Sequence, residues 1–376
     1  MTTRKPPAED SLANTVTLAA WRQARFLREA RRMIPRPLKT FHTTVNLMTD
    51  APVSPVTLLA SALAAVTLFV CAPVSSAQQR RPQGLPDSIQ LQADIPYAGT
   101  DNAKQKLNLL LPQQRASTRP LPVIVYIHGG AWRAGDRRAG HRRVASYVTS
   151  GQYAGVSVGY RLTDEAIWPA QIHDCKAAIR WVRANAKQYN LNPDKIGVMG
   201  DSAGGQLVAM LGTSGGVKAL EGTLGDHLTT SSKVQCVVDN FGPADLAAMK
   251  DYPSRMDHDR ADSPEGKLVG GQVSANHQAA ASASPISYVS KEDPPFLIIH
   301  GTDDMLVPYN QSVRLAKALK GVGTKCNFTT VTEGGHGGFR NPAVRQRERQ
   351  FFDKHLRGVE RDVPDSDLPN EMRGKP

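Results

Sequence analysis

The chain has 376 residues, which exceeds a typical single domain, but an α/β fold built on one continuous sheet can use most of that length. A hydrophobic content of 40% and a charged content of 21% are ordinary for a globular protein and exclude disorder as the default for most of the chain. The net charge of +12 is not concentrated on one module, because residues 1–50 carry +5 (nine Lys and Arg against four Asp and Glu) and the rest of the chain carries +7. We therefore expect no nucleic-acid partner.

An uncharged apolar run of fifteen residues, VTLLASALAAVTLFV, covers residues 56–70. This length suits the central region of a signal peptide better than a membrane span, which needs about 20 residues. Ser75 and Ala77 stand in an A-x-A-like arrangement, so we interpret residues 56–77 as a signal peptide cleaved after Ala77. The expected location is periplasmic or extracellular.

Residues 1–55 form a basic extension that is long for a signal peptide, and a true start at Met33 would explain it. The alternative is a real extension followed by an uncleaved membrane anchor at residues 56–74. A membrane is a partner only under that second interpretation.

Residues 78–360 are predicted to form the catalytic domain, because β-like and helical segments alternate along them. This alternation favours an α/β fold with a mostly parallel, doubly wound sheet and helices on both faces. Residues 243–293 break the pattern and predict a small lid-like insertion, and residues 361–376 predict a polar tail. Strands are predicted at 89–97, 106–111, 122–130, 153–160, up to 200, 235–242, 294–301 and 325–331, and helices at 141–150, 170–189, after Ser202 and at 310–323.

The four cysteines, Cys71, Cys175, Cys236 and Cys326, show no CxxC pair and no histidine at zinc-site spacing. We predict no metal site and no cofactor. The last three cysteines are expected to be buried free thiols.

The strongest motif is the G-x-S-x-G sequence of residues 200–204, which follows a predicted strand and precedes a predicted helix. This context is that of a nucleophile elbow, in which small flanking residues keep the strand and helix from colliding around a strained serine. Ser202 is therefore the predicted nucleophile. Serine is weak without a base, and His336, in the glycine-rich loop EGGHGGF after the last predicted strand, is the best candidate. His128 and His300 end buried strands and are interpreted as structural.

A third group must hold the base in one tautomer. The segment HGTDDMLVP offers Asp303 and Asp304, and Glu333 is a weaker candidate. The order Ser202, Asp304, His336 is the nucleophile, acid and base order of the nucleophile-elbow fold.

The tetrahedral intermediate needs backbone N–H donors. The glycine-rich HGGAW segment at the end of a buried strand is placed to supply them. We assign donors to Gly130, Ala131 and Ala203, and we assign the bend of the loop to Gly129. His128 is expected to brace the loop, and Trp132 to form a pocket wall or simple core.

Four segments carry a family resemblance: HGGAW, GDSAGG, ASPISYVSKEDPPFLIIHGTDDMLVP and EGGHGGF. Together they resemble α/β-hydrolases of the esterase/lipase group related to hormone-sensitive lipase, especially carbohydrate-esterase-like and feruloyl-esterase-like members. The resemblance covers roughly residues 87–357. It implies the α/β-hydrolase fold and Asp304 as the acid, whereas Ala131 stands where the family often has a third glycine.

The leading functional interpretation is a serine carboxylic-ester hydrolase of the carboxylesterase/lipase type, acting on small esters or acylated carbohydrate. An arylformamidase-like or peptidase-like amide hydrolase is one alternative, and a non-catalytic binding protein on the same scaffold is another. The basic cluster of residues 133–143 is either a solvated helix start or an attractor of anionic substrates. The sequence predicts no oligomeric state.

Overall fold

The computed structural model describes residues 85–371. The predicted extension at 1–55, the predicted signal peptide at 56–77 and Cys71 lie outside these residues. None of the helices within residues 85–371 is long and apolar enough to cross a bilayer.

Nine strands form one sheet in the described part of the chain. Every residue of the fourth, sixth and seventh strands is buried, which explains their largely apolar sequences, since such strands are covered on both faces. The strands are β1 (Ile89–Pro96), β2 (Lys106–Pro112), β3 (Leu121–Ile127), β4 (Ala154–Val158), β5 (Leu191–Asp201), β6 (Cys236–Asn240), β7 (Phe296–Gly301), β8 (Cys326–Thr332) and β9 (Ser366–Pro369).

The α-helices of residues 85–371 lie mainly between the strands. They are α1 (Gly140–Val148), α2 (Ala170–Ala184), α3 (Ala203–Thr213), α4 (Lys218–Glu221), α5 (Pro264–Val269), α6 (His277–Ser282), α7 (Asn310–Gly321) and α8 (Pro342–Arg357). Short 3-10 helices span Arg137–Ala139, Leu246–Asp251, Val273–Ala275 and Pro285–Tyr288.

Helix α2 buries a stripe that includes Ile172, Cys175 and Ile179, as its helical spacing predicts. It ends at Ala184, before the predicted end at residue 189. The chain there turns towards β5, and the amide of Leu191 donates to the carbonyl oxygen of Ala186 at 2.8 Å.

The sheet order is β1-β2-β4-β3-β5-β6-β7-β8-β9. Strands β1, β2 and β4 pair antiparallel in succession and the remaining pairs are parallel, which confirms the predicted mostly parallel sheet with an antiparallel entry. The order reverses at β3, which lies between β4 and β5. Because Ile127 of β3 pairs with Gly200 of β5, the loops after these strands leave the same edge side by side.

Helices cover both faces of the sheet, as predicted. Side chains of α2, α3 and α7, such as Ile179, Leu207 and Leu315, pack in the core on one face. Side chains of α1 and α8, such as Tyr147 and Phe352, pack on the other. Burial of each such apolar side chain contributes about 1.5–3 kcal/mol, so the two layers hold the helices against the sheet.

The segment before β7 and the segment after α8 differ from simple loops. Residues 243–293, predicted as a lid-like insertion, are folded around α5, α6 and three of the 3-10 helices. The predicted polar tail after residue 360 contributes β9, which pairs in parallel with β8. This strand is only four residues long and alternates half-buried and exposed positions, so no apolar run marks it in the sequence.

Cys175, Cys236 and Cys326 are buried free thiols, as predicted. Burial raises the pKa of the Cys326 thiol to about 12 and the pKa of the other two further above their ordinary range. All three thiols are therefore protonated and unreactive at neutral pH.

Candidate active site

Ser202 lies on the turn between β5 and α3, with φ of 58° and ψ of −121°. This conformation is strained for a residue with a side chain. The turn demands glycine on both sides: a Cβ at Gly200 would lie 2.2 Å from the carbonyl oxygen of Gly204, and a Cβ at Gly204 would lie 2.2 Å from that of Ile127. The predicted elbow geometry is present, with Ser202 lining the cavity at the edge of the sheet.

His336 lies in the loop after β8, as the glycine-rich sequence predicts. Its Nε2 is 2.9 Å from Oγ of Ser202 and its Nδ1 is 2.7 Å from Oδ2 of Asp304. The carboxylate accepts a hydrogen bond from Nδ1, which leaves the lone pair of Nε2 facing the serine hydroxyl. The ring of Phe241 packs edge-on against His336 with centroids 4.8 Å apart and limits its movement.

Of the three candidate acids, Asp304 is buried, whereas Asp303 and Glu333 are exposed. Its Oδ1 accepts hydrogen bonds from the amides of Leu306 at 2.8 Å and Val307 at 2.9 Å. Burial alone would raise the pKa of Asp304, but hydrogen bonds from two histidines hold it well below its usual range. The carboxylate is therefore charged at every physiological pH, and the structure brings Asp304 to His336 rather than either competitor.

The second histidine is His300, which the sequence assigned only a structural role. Its Nε2 lies 3.1 Å from Oδ2 of Asp304 and 3.0 Å from the carbonyl oxygen of Val307. Since both neighbours are acceptors, Nε2 carries the hydrogen, and Nδ1 faces Oγ of Ser312 at 2.7 Å. The sequence signal for this contact was the spacing, since His300 lies at the end of a buried strand and four residues before Asp304.

The loop after β3 places Gly129, Gly130 and Ala131 in the cavity wall beside Ser202. Gly130, Ala131 and Trp132 all have positive φ, of 109°, 55° and 55°. This turn brings the backbone of the loop close to the elbow, since a Cβ at Gly129 would lie 2.6 Å from the carbonyl oxygen of Asp201. Within residues 85–371, the amides of Gly130, Ala131 and Ala203 donate no hydrogen bond, so all three stay available to a ligand.

His128 braces this loop, as predicted. Its Nδ1 lies 2.7 Å from the carbonyl oxygen of Gly129, and its ring stacks on Tyr160 with centroids 4.3 Å apart. Burial lowers the pKa of His128 to about 4, so the ring is neutral at pH 7. The tyrosine hydroxyl completes the brace by donating to the carbonyl oxygen of His128 at 2.9 Å.

The cavity above Ser202 has a volume of about 550 Å³. Trp132 lines this cavity although its side chain is almost fully buried, so it belongs both to the hydrophobic core and to the cavity wall. Its Nε1 donates a hydrogen bond to Oε1 of Gln206 at 3.0 Å. The insertion also contributes to the wall, including two side chains that sequence reasoning did not single out, Met256 and Glu265.

A family model described as BD-FAE matches residues 107–319, more than half of the chain. The chain belongs to the BD-FAE family of α/β-hydrolases. The match includes Ser202 and Asp304 and ends before His336, so the position of this histidine rests on the structure.

Two curated relatives of this BD-FAE chain are esterases of Mycobacterium tuberculosis (strain ATCC 25618 / H37Rv). Esterase LipC is 31% identical over 224 residues, which cover 58% of this chain and 54% of LipC. Esterase LipQ is 32% identical over 231 residues, which cover 61% of this chain and 53% of LipQ. The chain thus spans about half the length of the curated relatives it matches. A solved structure of a truncated carbohydrate esterase from gut microbiota is 35% identical, with a TM-score of 0.67 over 73% of this chain and 100% of that one.

The elbow of this BD-FAE chain is tied to two neighbouring strands and to the α1 and α8 helix layer by a polar network around Asp201. Arg143 of α1 donates to Oδ1 of Asp201 at 3.1 Å and to Oε1 of Glu348, on α8, at 2.8 Å. Asn240 donates to the same oxygen of Asp201 at 3.0 Å, and Tyr126 donates to Oδ2 at 2.9 Å. The residue before the nucleophile is therefore fixed from three elements at once.

Most arginines of the basic cluster at residues 133–143 form ion pairs in this structure. Arg137 forms an ion pair with Asp94, Arg138 with Asp136, and Arg143 with the Asp201 network. This pairing weakens any long-range attraction of anionic substrates. Arg133, exposed in the cavity wall, forms no ion pair within the described residues.

Proposed function

We propose that this chain hydrolyses carboxylic esters through an acyl-enzyme intermediate on Ser202. The observation that carries the proposal is the continuous hydrogen-bond chain from Oγ of Ser202 through His336 to the buried carboxylate of Asp304. Membership of the BD-FAE family and similarity to the LipC and LipQ esterases support the same reaction class.

In the proposed mechanism, Oγ of Ser202 attacks the ester carbonyl carbon while Nε2 of His336 takes the hydroxyl proton. Asp304 stabilises the resulting imidazolium without taking its proton. The negative charge that develops on the carbonyl oxygen is met by the amides of Gly130, Ala131 and Ala203, each worth about 2.7–4 kcal/mol in such a site.

Collapse of the tetrahedral intermediate breaks the bond to the alcohol oxygen, and the imidazolium of His336 protonates the leaving alcohol. A water molecule then attacks the acyl-enzyme with His336 again as base, which releases the acid and restores Ser202. The mechanism requires no cofactor. Among residues 85–371, no cluster of three or more His, Cys, Asp or Glu side chains is arranged to hold a metal ion.

Acylated carbohydrates and small esters are the proposed substrates. The 35% identity to a carbohydrate esterase of gut microbiota supports the first group. The cavity of about 550 Å³ is within the size range of small-molecule sites.

Labelling with a fluorophosphonate and an ester panel test the proposal together. Wild-type protein should label at Ser202 and hydrolyse p-nitrophenyl esters, whereas Ser202→Ala should do neither. The rates on acetyl, butyryl, octanoyl and feruloyl esters rank the acyl preference. Folded wild-type protein that neither labels nor turns over any ester would indicate a binding protein. Turnover of N-formylkynurenine without ester hydrolysis would indicate an amide hydrolase.

Export is the second part of the proposal, supported by the apolar run at residues 56–70 and the small residues before the cleavage position. N-terminal sequencing of the protein from its native host should give a mature chain that begins near residue 78. A mature chain that retains residue 40 would contradict export by cleavage.

A further inference from the structure

A buried carboxylate lies in the wall of the active-site cavity, on the side of the insertion. Glu265 is 3% exposed and lines the cavity together with Ser202 and His336. No hydrogen bond or ion pair in the described structure joins Glu265 to the Ser202, His336 and Asp304 relay. The hydrolytic mechanism therefore gives this carboxylate no role, although burying it is costly.

The backbone of the insertion holds Glu265 firmly in place. Helix α5 begins directly after Ser263, whose Oγ accepts a hydrogen bond from the amide of Gly266 at 2.9 Å. A Cβ at Gly266 would lie 2.1 Å from the carbonyl oxygen of Arg260, so the helix packs closely on the preceding chain. The carbonyl oxygen of Leu268 accepts a hydrogen bond from Trp168, outside the insertion, at 2.9 Å.

Behind Glu265 lies the equally buried ring of His258. Nδ1 of His258 is 3.1 Å from Oε2 of Glu265, and Nε2 is 2.9 Å from Oγ of Ser254. Since this serine donates to the carbonyl oxygen of Met305, Nε2 of His258 must donate to the serine.

This contact does not satisfy the carboxylate. Its alignment is too poor for a hydrogen bond, and both Nδ1 of His258 and Oε2 of Glu265 remain without a hydrogen-bond partner. Oε2 is enclosed by the protein, so the oxygen that can meet a ligand is Oε1, which accepts no hydrogen bond within residues 85–371 and belongs to a side chain that lines the cavity. An unpaired acceptor in the wall of a ligand cavity is a site for a donor supplied by the ligand.

We propose that Glu265, held in place by His258, binds a hydroxyl group of the substrate and so selects esters of polyhydroxylated alcohols. The inference rests on the ester hydrolysis proposed above and deepens it. A neutral hydroxyl fits better than a cation, because Arg133 lines the same cavity and His258 already faces the carboxylate. An ester without the hydroxyl leaves the buried carboxylate unpaired and is disfavoured.

The test compares two acetyl esters that differ in their hydroxyl groups: monoacetylated methyl xyloside and cyclohexyl acetate. Wild-type protein should prefer the xyloside ester. Glu265→Leu should lower kcat/KM for the xyloside ester roughly 10- to 100-fold, the range for one hydrogen bond to a charged group. It should raise kcat/KM for cyclohexyl acetate, because that ester then no longer leaves a carboxylate unpaired. Glu265→Gln, which keeps the shape of the side chain, should lose less.

Glu360, which is exposed, supplies the matched control, and Glu360→Leu and Glu360→Gln should leave both activities unchanged. The fluorophosphonate labelling rate of each variant reports whether the Ser202 site is intact. Equal losses on both esters, or no loss on either, would overturn the proposal. Acetylcholine, assayed as a third acetyl ester, tests for a cation site, and a loss in Glu265→Leu confined to acetylcholine would also overturn the hydroxyl proposal. Fluorophosphonate labelling and turnover of activated p-nitrophenyl acetate by the wild type test ester hydrolysis separately, so the two proposals fail in distinguishable ways.

Discussion

His300 and His336 donate hydrogen bonds to the same carboxylate oxygen of Asp304. Nδ1 of His336 lies 2.7 Å from Oδ2, and Nε2 of His300 lies 3.1 Å from it. His300 is itself fixed by Oγ of Ser312 at 2.7 Å. Asp304 is thus held by two imidazoles, of which only His336 faces the nucleophile. The hydrogen bond from His300 keeps the carboxylate of Asp304 from rotating away from His336.

Replacing His300 should therefore weaken the relay without touching substrate. We expect His300→Leu to lower kcat on p-nitrophenyl acetate about 10-fold with little change in KM, because one charge-assisted hydrogen bond that orients Asp304 is lost. His300→Gln, which retains a donor, should recover part of that loss. The exposed His277 provides the control, and His277→Leu should behave as wild type. A rise in KM with unchanged kcat would contradict a positioning role.

The two neighbouring aspartates should differ sharply in their effect on activity. Asp304→Asn should reduce kcat by about 10⁴-fold, because the amide cannot hold His336 in the tautomer that accepts the serine proton. Asp303 is exposed, and its carboxylate accepts a hydrogen bond from the hydroxyl of Thr302 at 2.9 Å, so Asp303→Asn should leave kcat close to wild type. Steady-state kinetics on one ester measure both. Similar losses in the two variants would show that the relay is not the one described.

The strained turn at Ser202 should be visible in the free energy of unfolding. Both Ser202→Ala and Ser202→Gly abolish the nucleophile, but only glycine adopts a φ of 58° without strain. We expect the free energy of unfolding of Ser202→Gly to exceed that of Ser202→Ala by about 1 kcal/mol. The relief of strain in the folded protein outweighs the greater freedom of glycine in the unfolded chain. Urea unfolding of the two inactive variants measures the difference. A less stable glycine variant would mean that the turn is not strained.

Asp239, buried beneath the elbow, should make stability depend on pH. Burial, which outweighs the hydrogen bond from the amide of Gly242, raises the pKa of Asp239 to about 7. The folded protein therefore keeps a proton that the unfolded chain releases near pH 4, and the stability from this group falls as the pH rises from about 4 to 7.

Asp239→Asn should remove that fall, since an amide does not ionise. Its free energy of unfolding should exceed that of wild type at pH 8 and come close to it at pH 4. Asp362 is exposed, and Asp362→Asn should keep the wild-type pH dependence. The same pH dependence in Asp239→Asn and wild type would show that Asp239 is ionised in the folded protein.

The local sequence determined the strands, helices and turns that carry a regular residue pattern. Continuous apolar runs predicted the buried strands, and the spacing of Ile172, Cys175 and Ile179 predicted the face of α2. The glycine at 200 predicted the elbow, because a Cβ there would collide with the carbonyl oxygen of Gly204, four residues further along the chain. These features depend on neighbours in the chain, so the sequence is sufficient to specify them.

Tertiary structure decided the contacts between distant segments that no motif marks, and it decided between candidates that the sequence left open. Asp303 and Asp304 are adjacent in sequence, and only the fold buries one of them against His336. The contact of His300 with the acid, the place of β9 on the sheet and the placement of Glu265 in the cavity wall follow from packing between elements that no local pattern reports. The physical reason is that burial and hydrogen-bond partnership depend on which strand ends and loops meet, and the sheet order sets this.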